Sequence, residues 1–269
     1  MYIISAVVEK AQAKVAVCDK EYKILTKKEG TDKDLEKLCL EAINERGIKA
    51  SDLDYIGVAS EGGFDVSELE RNLGVKCISA SLASAKALGE AYLAGDVPFA
   101  VVLKIDDTVE CGIVIDRKIY LGARGQEVNV ANMIVDFGGY ECPTCGKRGC
   151  FGAYATGEGL KRIAAEAGVA DAEDLTHEKL FAMDTAEAET AKKLYVKYLA
   201  SGITNIINLF QPNELVLEGE FTKAGKAITE PLMDIILREQ YTHSMPNKGN
   251  VRFESKEDSA LVGTALLGR

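Results

Sequence analysis

The stretch Cys142-Pro-Thr-Cys-Gly-Lys-Arg-Gly-Cys-Phe-Gly-Ala-Tyr-Ala155 is the most informative segment of this 269-residue chain. It holds three of the seven cysteines, Cys142, Cys145 and Cys150, in a glycine-rich loop. The small and apolar residues that follow predict a helix from about Ala153 to Ala167. Three thiolates at this spacing suit zinc, which prefers tetrahedral coordination by sulfur and nitrogen.

The remaining cysteines, Cys18, Cys39, Cys77 and Cys111, fall in apolar periodic segments. We interpret them as core residues, because free cysteine is among the most frequently buried residue types. The spacing of the seven cysteines does not resemble the disulfide framework of a small secreted domain.

Composition excludes several classes of function. The formal net charge is −10 and there is no large basic block, so a nucleic-acid partner is not expected. No apolar run approaches the roughly 20 residues needed to span a bilayer, so a membrane partner is not expected. The chain opens on a strand-like run, residues 1–8, so a signal peptide is not expected. These features predict a soluble, cytoplasmic protein.

The order of elements predicts two α/β lobes. Three short strands with brief polar turns predict an antiparallel meander, followed by a helix, a strand and further helical segments. A similar series begins at Phe99, with a turn expected at Asp116-Arg117. We therefore predict an N-terminal lobe over residues 1–104, to which the final helix at 255–269 returns, and a C-terminal lobe over residues 105–254. A ligand cleft is expected between the lobes.

Several segments, taken in order, resemble the ROK family of sugar kinases and regulators. The cysteine loop resembles the family's zinc loop, C-x-C-G-x-x-G-C-x-E, although its first pair is one residue wider. The other matching segments are Ala87-Leu-Gly-Glu90, Gly112–Ala123, Asn205–Asn213 and Glu257–Leu267. The resemblance implies a two-lobe actin-like (ribonuclease H-like) fold and a homodimer that pairs through the C-terminal lobes.

The resemblance also implies a phosphate-binding turn between the first two strands, which in the family contains an aspartate, two glycines and a threonine. Those positions hold Val7, Glu9, Lys10 and Ala11 here. Val7 offers no oxygen to magnesium, and Glu9 would repel a phosphate. ATP and magnesium are therefore not expected as cofactors.

The family's base is an aspartate in an Asn-Asp pair at the start of a helix, where Ser81 and Leu82 stand in this chain. Leucine cannot accept a proton, and loss of a general base costs roughly 10²- to 10⁴-fold in rate. We therefore assign no catalytic residue.

The family's sugar-pocket residues are a glutamate, a histidine that also binds zinc, and a second glutamate. Asn129, Asn132 and Gly152 occupy those positions here, so the charge is lost and at most weak sugar binding is expected. The resemblance also places Ser81, at the family's asparagine, among the sugar-pocket positions. The second nucleotide turn, Gly-Gly-Gly in the family, reads Glu218-Gly219-Glu220.

Two interpretations of the cysteine loop stay open. One is a structural zinc site in which water, Asp136 or Glu141 completes the shell, since Asn132 is a poor ligand. The other is a metal-free vestige. His177 and His243 are the only histidines, and a helix-start or surface position is expected for both.

The leading hypothesis for function is a ROK-like protein that has lost sugar kinase activity and acts as a binding or regulatory module. It would work as a homodimer or with another protein as its partner. The alternative is an ATP-dependent hexose kinase of glucokinase type, in which an acid among Glu61, Asp65, Asp106 and Asp107 replaces the lost base. A third possibility is a structural or assembly role without a small ligand.

Overall fold

The computed structural model describes residues 1–241 and 250–269. The strands are β1 (Tyr2–Glu9), β2 (Gln12–Cys18), β3 (Ile24–Thr31), β4 (Leu53–Ser60), β5 (Cys77–Ser81), β6 (Phe99–Ile105), β7 (Val109–Ile115), β8 (Lys118–Ile119), β9 (Glu214–Gly219) and β10 (Val251–Arg252). The helices are α1 (Leu35–Glu45), α2 (Ser67–Leu73), α3 (Leu82–Leu93), α4 (Gly152–Ala155), α5 (Gly157–Glu166), α6 (His177–Ala182), α7 (Ala186–Phe210), α8 (Lys226–Glu239) and α9 (Ser259–Ala265).

The chain divides into two compact units. The first comprises Met1–Val102, Gly112–Gly125 and Ser255–Arg269, and the second comprises Leu103–Cys111 and Gln126–Glu254. The strands of the described residues form two five-stranded sheets, in the orders β3-β2-β1-β4-β5 and β10-β9-β6-β7-β8. Mixed sheets with helices are the α/β class that the sequence predicts.

The predicted meander is confirmed in the first sheet. β1 pairs antiparallel with β2, and β2 pairs antiparallel with β3. β4 lies parallel to β1, and β5 lies parallel to β4. The carboxyl ends of these three strands therefore meet at one edge, where Val8 is opposite Ser60 and Ser60 is opposite Ser81.

Two hairpin turns contain residues whose backbone lies in the left-handed region. Lys10 and Ala11 join β1 to β2 at φ 48° and 62°. Asp116 and Arg117 join β7 to β8 at φ 48° and 66°, which confirms the turn predicted there. Two consecutive positive φ values define the type I′ turn, whose twist matches that of the flanking strands.

The helix predicted over residues 153–167 is in fact two helices. Thr156 has an extended ψ of 169° and ends α4. Its side-chain oxygen then accepts a hydrogen bond from the N–H of Gly159 and so caps α5. A threonine that caps the next helix offers its backbone an alternative to continuing the previous one.

Helix α3 packs backbone against backbone on α9. A Cβ atom at Gly89 would lie 1.8 Å from the carbonyl oxygen of Ser259, and one at Gly263 would lie 1.7 Å from that of Ala85. The buried Glu90 carboxylate also accepts a hydrogen bond of 2.6 Å from the N–H of Lys256. Glycine and a buried acid therefore fix residues 255–269 against α3.

The cores of the described residues are apolar, and three of the four predicted core cysteines, Cys18, Cys39 and Cys111, are buried. Cys77 is half-buried. Among the described residues, no helix combines the length and apolarity required to cross a membrane.

We predict that Gly263→Ala lowers the free energy of unfolding by about 1–3 kcal/mol, because the added methyl group has no space between two backbones. Gly157→Ala is the matched control, since a Cβ atom there meets nothing within 4 Å. Urea titration measures both. Equal stability of the two variants would contradict the close packing of α3 and α9.

Candidate functional site

The positions of the family's base and first magnesium carboxylate lie in an apolar cluster of the first unit. Leu82, the first residue of α3, is fully buried, and Val7 in β1 is 5% exposed. Both belong to one core cluster with Ile3, Ala59 and Ala85. No side-chain group at either position can accept a proton or bind a hard cation.

Ser81, which stands at the asparagine position of the family motif, has a local role. Its Oγ accepts a hydrogen bond of 3.1 Å from the N–H of Ser84. Ser81 is therefore the N-cap of α3, a position that favours serine.

The opening turn carries carboxylates where the family binds phosphate. The backbone N–H of Lys10 donates a hydrogen bond of 3.0 Å to Oε2 of Glu61. At the same turn, Lys86 on α3 forms an ion pair of 3.7 Å with Glu9. A peptide N–H in such a turn is the group that would otherwise donate to a phosphate oxygen, so Glu61 holds that donor.

The second turn, which follows β9, also forms a hydrogen bond with a carboxylate. Gly219 has φ 127°, and a Cβ atom there would lie 1.9 Å from the carbonyl oxygen of Ile105. Asp106 accepts a hydrogen bond of 2.9 Å from the N–H of Glu220 and is also hydrogen-bonded to the buried Lys104. Asp106 therefore joins the ends of β6 and β9 within the second unit.

The structure brings the three predicted cysteine ligands together. The sulfur atoms of Cys142, Cys145 and Cys150 lie within 4.8 Å of one another, and those of Cys145 and Cys150 are 3.5 Å apart. An isolated antiparallel β-bridge between Glu141 and Arg148 closes the loop. Gly149 lets the chain pack closely against Asp136, since a Cβ atom there would lie 1.8 Å from the Asp136 carbonyl oxygen. These three sulfurs fit a soft divalent cation such as zinc, and they would serve as its thiolate ligands.

The three thiols are not equivalent. Burial raises the pKa of the Cys142 thiol, but hydrogen bonds from the N–H groups of Cys145 and Thr144 outweigh it, so the pKa is lowered overall. Burial raises the pKa of the Cys150 thiol, and the neighbouring sulfurs add to this effect. Of these two, Cys142 is the sulfur that ionises more readily.

Neither carboxylate that was considered as a fourth ligand joins the cluster. The Asp136 carboxylate accepts hydrogen bonds from the hydroxyl groups of Tyr154, at 2.9 Å, and Tyr198, at 3.1 Å. Among the described residues, the group of possible metal ligands contains the three cysteines but not Asp136 or Glu141. The structure therefore does not place either acid with the three sulfurs.

Asn132 lies instead at the cysteine cluster. Its Nδ2 atom is 3.3 Å from the sulfur of Cys145, 3.6 Å from that of Cys150 and 3.8 Å from that of Cys142. Asn129 caps the short 3₁₀ turn that contains Asn132, and its Nδ2 donates a hydrogen bond of 2.7 Å to Oδ1 of Asn132. The two asparagines predicted as sugar-pocket residues thus bind each other.

Gly152, the third predicted sugar-pocket position, begins α4. A Cβ atom there would lie 3.4 Å from the carbonyl oxygen of Ala131, an ordinary contact. The position therefore has room for a Cβ atom, but glycine offers no side-chain group to a ligand.

His177 is the first residue of α6, as expected, but it is buried. Its Nε2 lies 2.8 Å from the hydroxyl of Tyr195, which itself donates a hydrogen bond of 2.6 Å to the carbonyl oxygen of Ala155. Burial lowers the pKa of His177 from 6.5 to about 4, although the negative charges of Glu220 and Asp106 act against this shift. His243 lies outside the described residues.

The fold is that of known ROK structures. The crystal structure of the ROK hexokinase from Thermus thermophilus superposes with a TM-score of 0.82 and 22% identity, covering 99% of this chain and 98% of that one. The predicted actin-like α/β fold is thereby confirmed.

Sequence comparison extends this result from the fold to the family. The ROK family model matches residues 61–269, so the chain belongs to the ROK family. A putative xylose repressor of Caldicellulosiruptor sp. (strain Rt8B.4) is 28% identical over 195 residues, 65% of this chain and 48% of that protein. A glucokinase of Halalkalibacterium halodurans is 29% identical over 183 residues, 61% of this chain and 55% of that protein. The chain spans about half the length of these curated relatives.

Sequence reasoning missed two contacts of the candidate site. It considered Glu61 only as a substitute base and did not consider Lys86. The available signal was local, because Lys86 is the one charged residue between Leu82 and Gly89, in a helix otherwise made of small and apolar residues. Its partner Glu9 is distant in sequence and could not be inferred from spacing.

We predict that the free energy of unfolding decreases as the pH falls, because His177 is buried and neutral in the folded protein. The folded-state pKa is depressed, so the stabilisation is present above about pH 6.5 and is lost as the pH falls towards 4. From pH 7 to 5 this amounts to about 2 kcal/mol. The variant His177→Gln, which does not titrate, should lose correspondingly less stability over the same interval when urea unfolding is measured. Parallel losses in both proteins would rule out His177 as the cause.

Proposed function

We propose that this ROK protein has no sugar kinase activity and acts as a binding or regulatory module. The observation that carries the proposal is the burial of Leu82 and Val7 in one apolar cluster. Phosphoryl transfer requires a carboxylate to orient the attacking hydroxyl and oxygen ligands for magnesium. By resemblance to the family, these two positions should supply both, and here neither does.

The charges around the opening turn support the same proposal. The Lys10 N–H donates to the Glu61 carboxylate, and Glu9 forms an ion pair with Lys86. A triphosphate approaching this turn would meet two carboxylates, and like charges repel. Compensating contacts within the protein thus take the place of contacts with a nucleotide.

A regulatory role agrees with the mixture of relatives, since some are named repressors and one a glucokinase. The proposed partner is a protein, either a second copy of this chain or another polypeptide. A homodimer is testable by analytical ultracentrifugation, and a single monomeric species at micromolar concentration would contradict it.

The alternative is a hexose kinase, which is favoured by the likeness to the T. thermophilus hexokinase fold. It requires a substitute base. Asp106 is engaged with Lys104 and the Glu220 N–H, and Asp65 accepts a hydrogen bond of 2.9 Å from the N–H of Ser67. These contacts make both acids weaker candidates for the base.

We predict that magnesium-ATP, alone or with a panel of hexoses and amino sugars, leaves the thermal unfolding midpoint of the protein unchanged. Binding at 100 times the dissociation constant would contribute about 2.7 kcal/mol, which is a shift of several degrees. A coupled assay of ATP turnover should give only background. Hexose-dependent turnover would contradict the proposal and establish the kinase alternative.

The variant Glu61→Ala tests whether this carboxylate excludes nucleotide. It releases the Lys10 N–H and removes one negative charge, whereas Glu68→Ala removes an exposed charge from α2 without altering the turn. We expect Glu61→Ala, and not Glu68→Ala, to gain a midpoint shift with magnesium-ATP while turnover stays at background. No gain in either variant would mean that Glu61 is not what excludes the nucleotide.

A further inference from the structure

The cysteine cluster and Asn132 together outline a tetrahedron. With zinc–sulfur bonds of about 2.3 Å and zinc–oxygen or zinc–nitrogen bonds of about 2.0–2.1 Å, a sulfur atom and the fourth ligand atom are separated by about 3.6 Å. The distances from Nδ2 of the Asn132 terminal amide to the three sulfurs are 3.3, 3.6 and 3.8 Å, and Oδ1 would take this position if the amide turned over. The amide thus lies where the fourth ligand of a tetrahedral metal ion belongs.

We propose that Asn132 is the fourth ligand of this metal site, through its side-chain oxygen, and that the site holds zinc as an exchangeable ion. The geometry of the cluster carries this proposal, which does not depend on whether the protein is a kinase.

Asn129 determines which amide atom faces the sulfurs. Oδ1 of Asn129 accepts a hydrogen bond of 3.2 Å from the N–H of Asn132, so its Nδ2 faces Oδ1 of Asn132. This arrangement turns the Nδ2 of Asn132 towards the sulfurs, where it donates to them. Coordination requires the Asn132 amide to turn over, since only its oxygen carries a lone pair for the metal.

Turning the amide carries a free-energy cost. The Nδ2 of Asn132 then faces Asn129, which can accept from it only by turning its own amide and giving up its bond to the Asn132 N–H. Metal binding therefore competes with an intact pair of asparagine hydrogen bonds. Together with the weak donor strength of a neutral amide oxygen compared with imidazole, this competition predicts weaker binding and faster release than in a site completed by histidine.

Other ligands are less suited to the fourth position. Asp136 is held by two tyrosine hydroxyl groups, and Glu141 lies outside the ligand group. A water molecule would have to displace the Asn132 amide from its contacts with the three sulfurs.

The experiment measures zinc affinity of the full chain by competition with a chromophoric chelator, and records absorption spectra of the cobalt-substituted protein. Cobalt–thiolate charge-transfer bands report the sulfur ligands, and the d–d bands respond to the fourth ligand. The variants are Asn132→Ala, Asn132→His, Asn129→Asp and the double variant Asn129→Asp/Asn132→Ala. Asn72→Ala is the control, because Asn72 is an exposed residue bonded to Glu36 in the first unit.

We expect one zinc ion per chain in the unaltered protein. Affinity should fall at least about 10-fold in Asn132→Ala, because loss of even an outer partner of a metal ligand costs roughly 10- to 100-fold, and it should rise in Asn132→His. The d–d bands should shift in both variants while the thiolate bands remain. Asn72→Ala should behave like the unaltered protein. If Asn132→Ala fails to fold, the Asn132→His and Asn129→Asp measurements still decide the question.

Asn129→Asp tests the orientation of the amide. An aspartate at this position accepts from both the N–H and the turned Nδ2 of Asn132, so zinc affinity should rise. An effect of charge alone would persist in the double variant, whereas an effect through the amide is lost there.

Three results would overturn the proposal. The first is unchanged affinity and unchanged d–d bands in Asn132→Ala. The second is a gain from Asn129→Asp that survives removal of Asn132, or no gain at all. The third is well under one zinc ion per chain in the unaltered protein under metal-replete conditions.

Discussion

The close approach of α3 to α9 is the contact on which the first unit depends. Gly89 and Gly263 bring the two helix backbones together, and Gly112 lets a strand approach α3, since a Cβ atom there would lie 2.0 Å from the carbonyl oxygen of Ala83. Side chains cannot be inserted between elements packed this tightly. The first residues of α3 are thereby fixed in place, and Ser81 and Leu82 are presented at the carboxyl edge of the sheet whatever their chemistry.

This rigidity explains how a ROK frame accommodates apolar residues at Leu82 and Val7. The backbone contacts involve glycines and a buried glutamate, Glu90. Gly89, Glu90 and Gly263 belong to segments that resemble the family. The residues at the strand ends are not needed for those contacts, so they can change from polar to apolar. Leu82 and Val7 then extend the core, a change that favours stability because it buries apolar surface.

Much of the fold could be predicted from the sequence, since β-strand alternation, helical periodicity and turn residues are local signals. The helix at Ala186–Phe210 is an example of such a signal, because its apolar face repeats over many turns. The break at Thr156 was missed, because a capping threonine resembles any other threonine until its partner is known. The cysteine cluster was predictable from spacing. The contact of Glu61 with Lys10 was not, since it joins residues 51 positions apart.

The turn between β1 and β2 keeps a backbone shape that suits glycine better than the residues now present. Lys10 and Ala11 both adopt left-handed conformations, which cost L-amino acids roughly 1–2 kcal/mol each. The pairing of β1 with β2 therefore holds the turn closed against the preference of its own residues. The hairpin is therefore a suitable target for protein engineering, because glycine at either position would relieve this strain and keep the same type of turn.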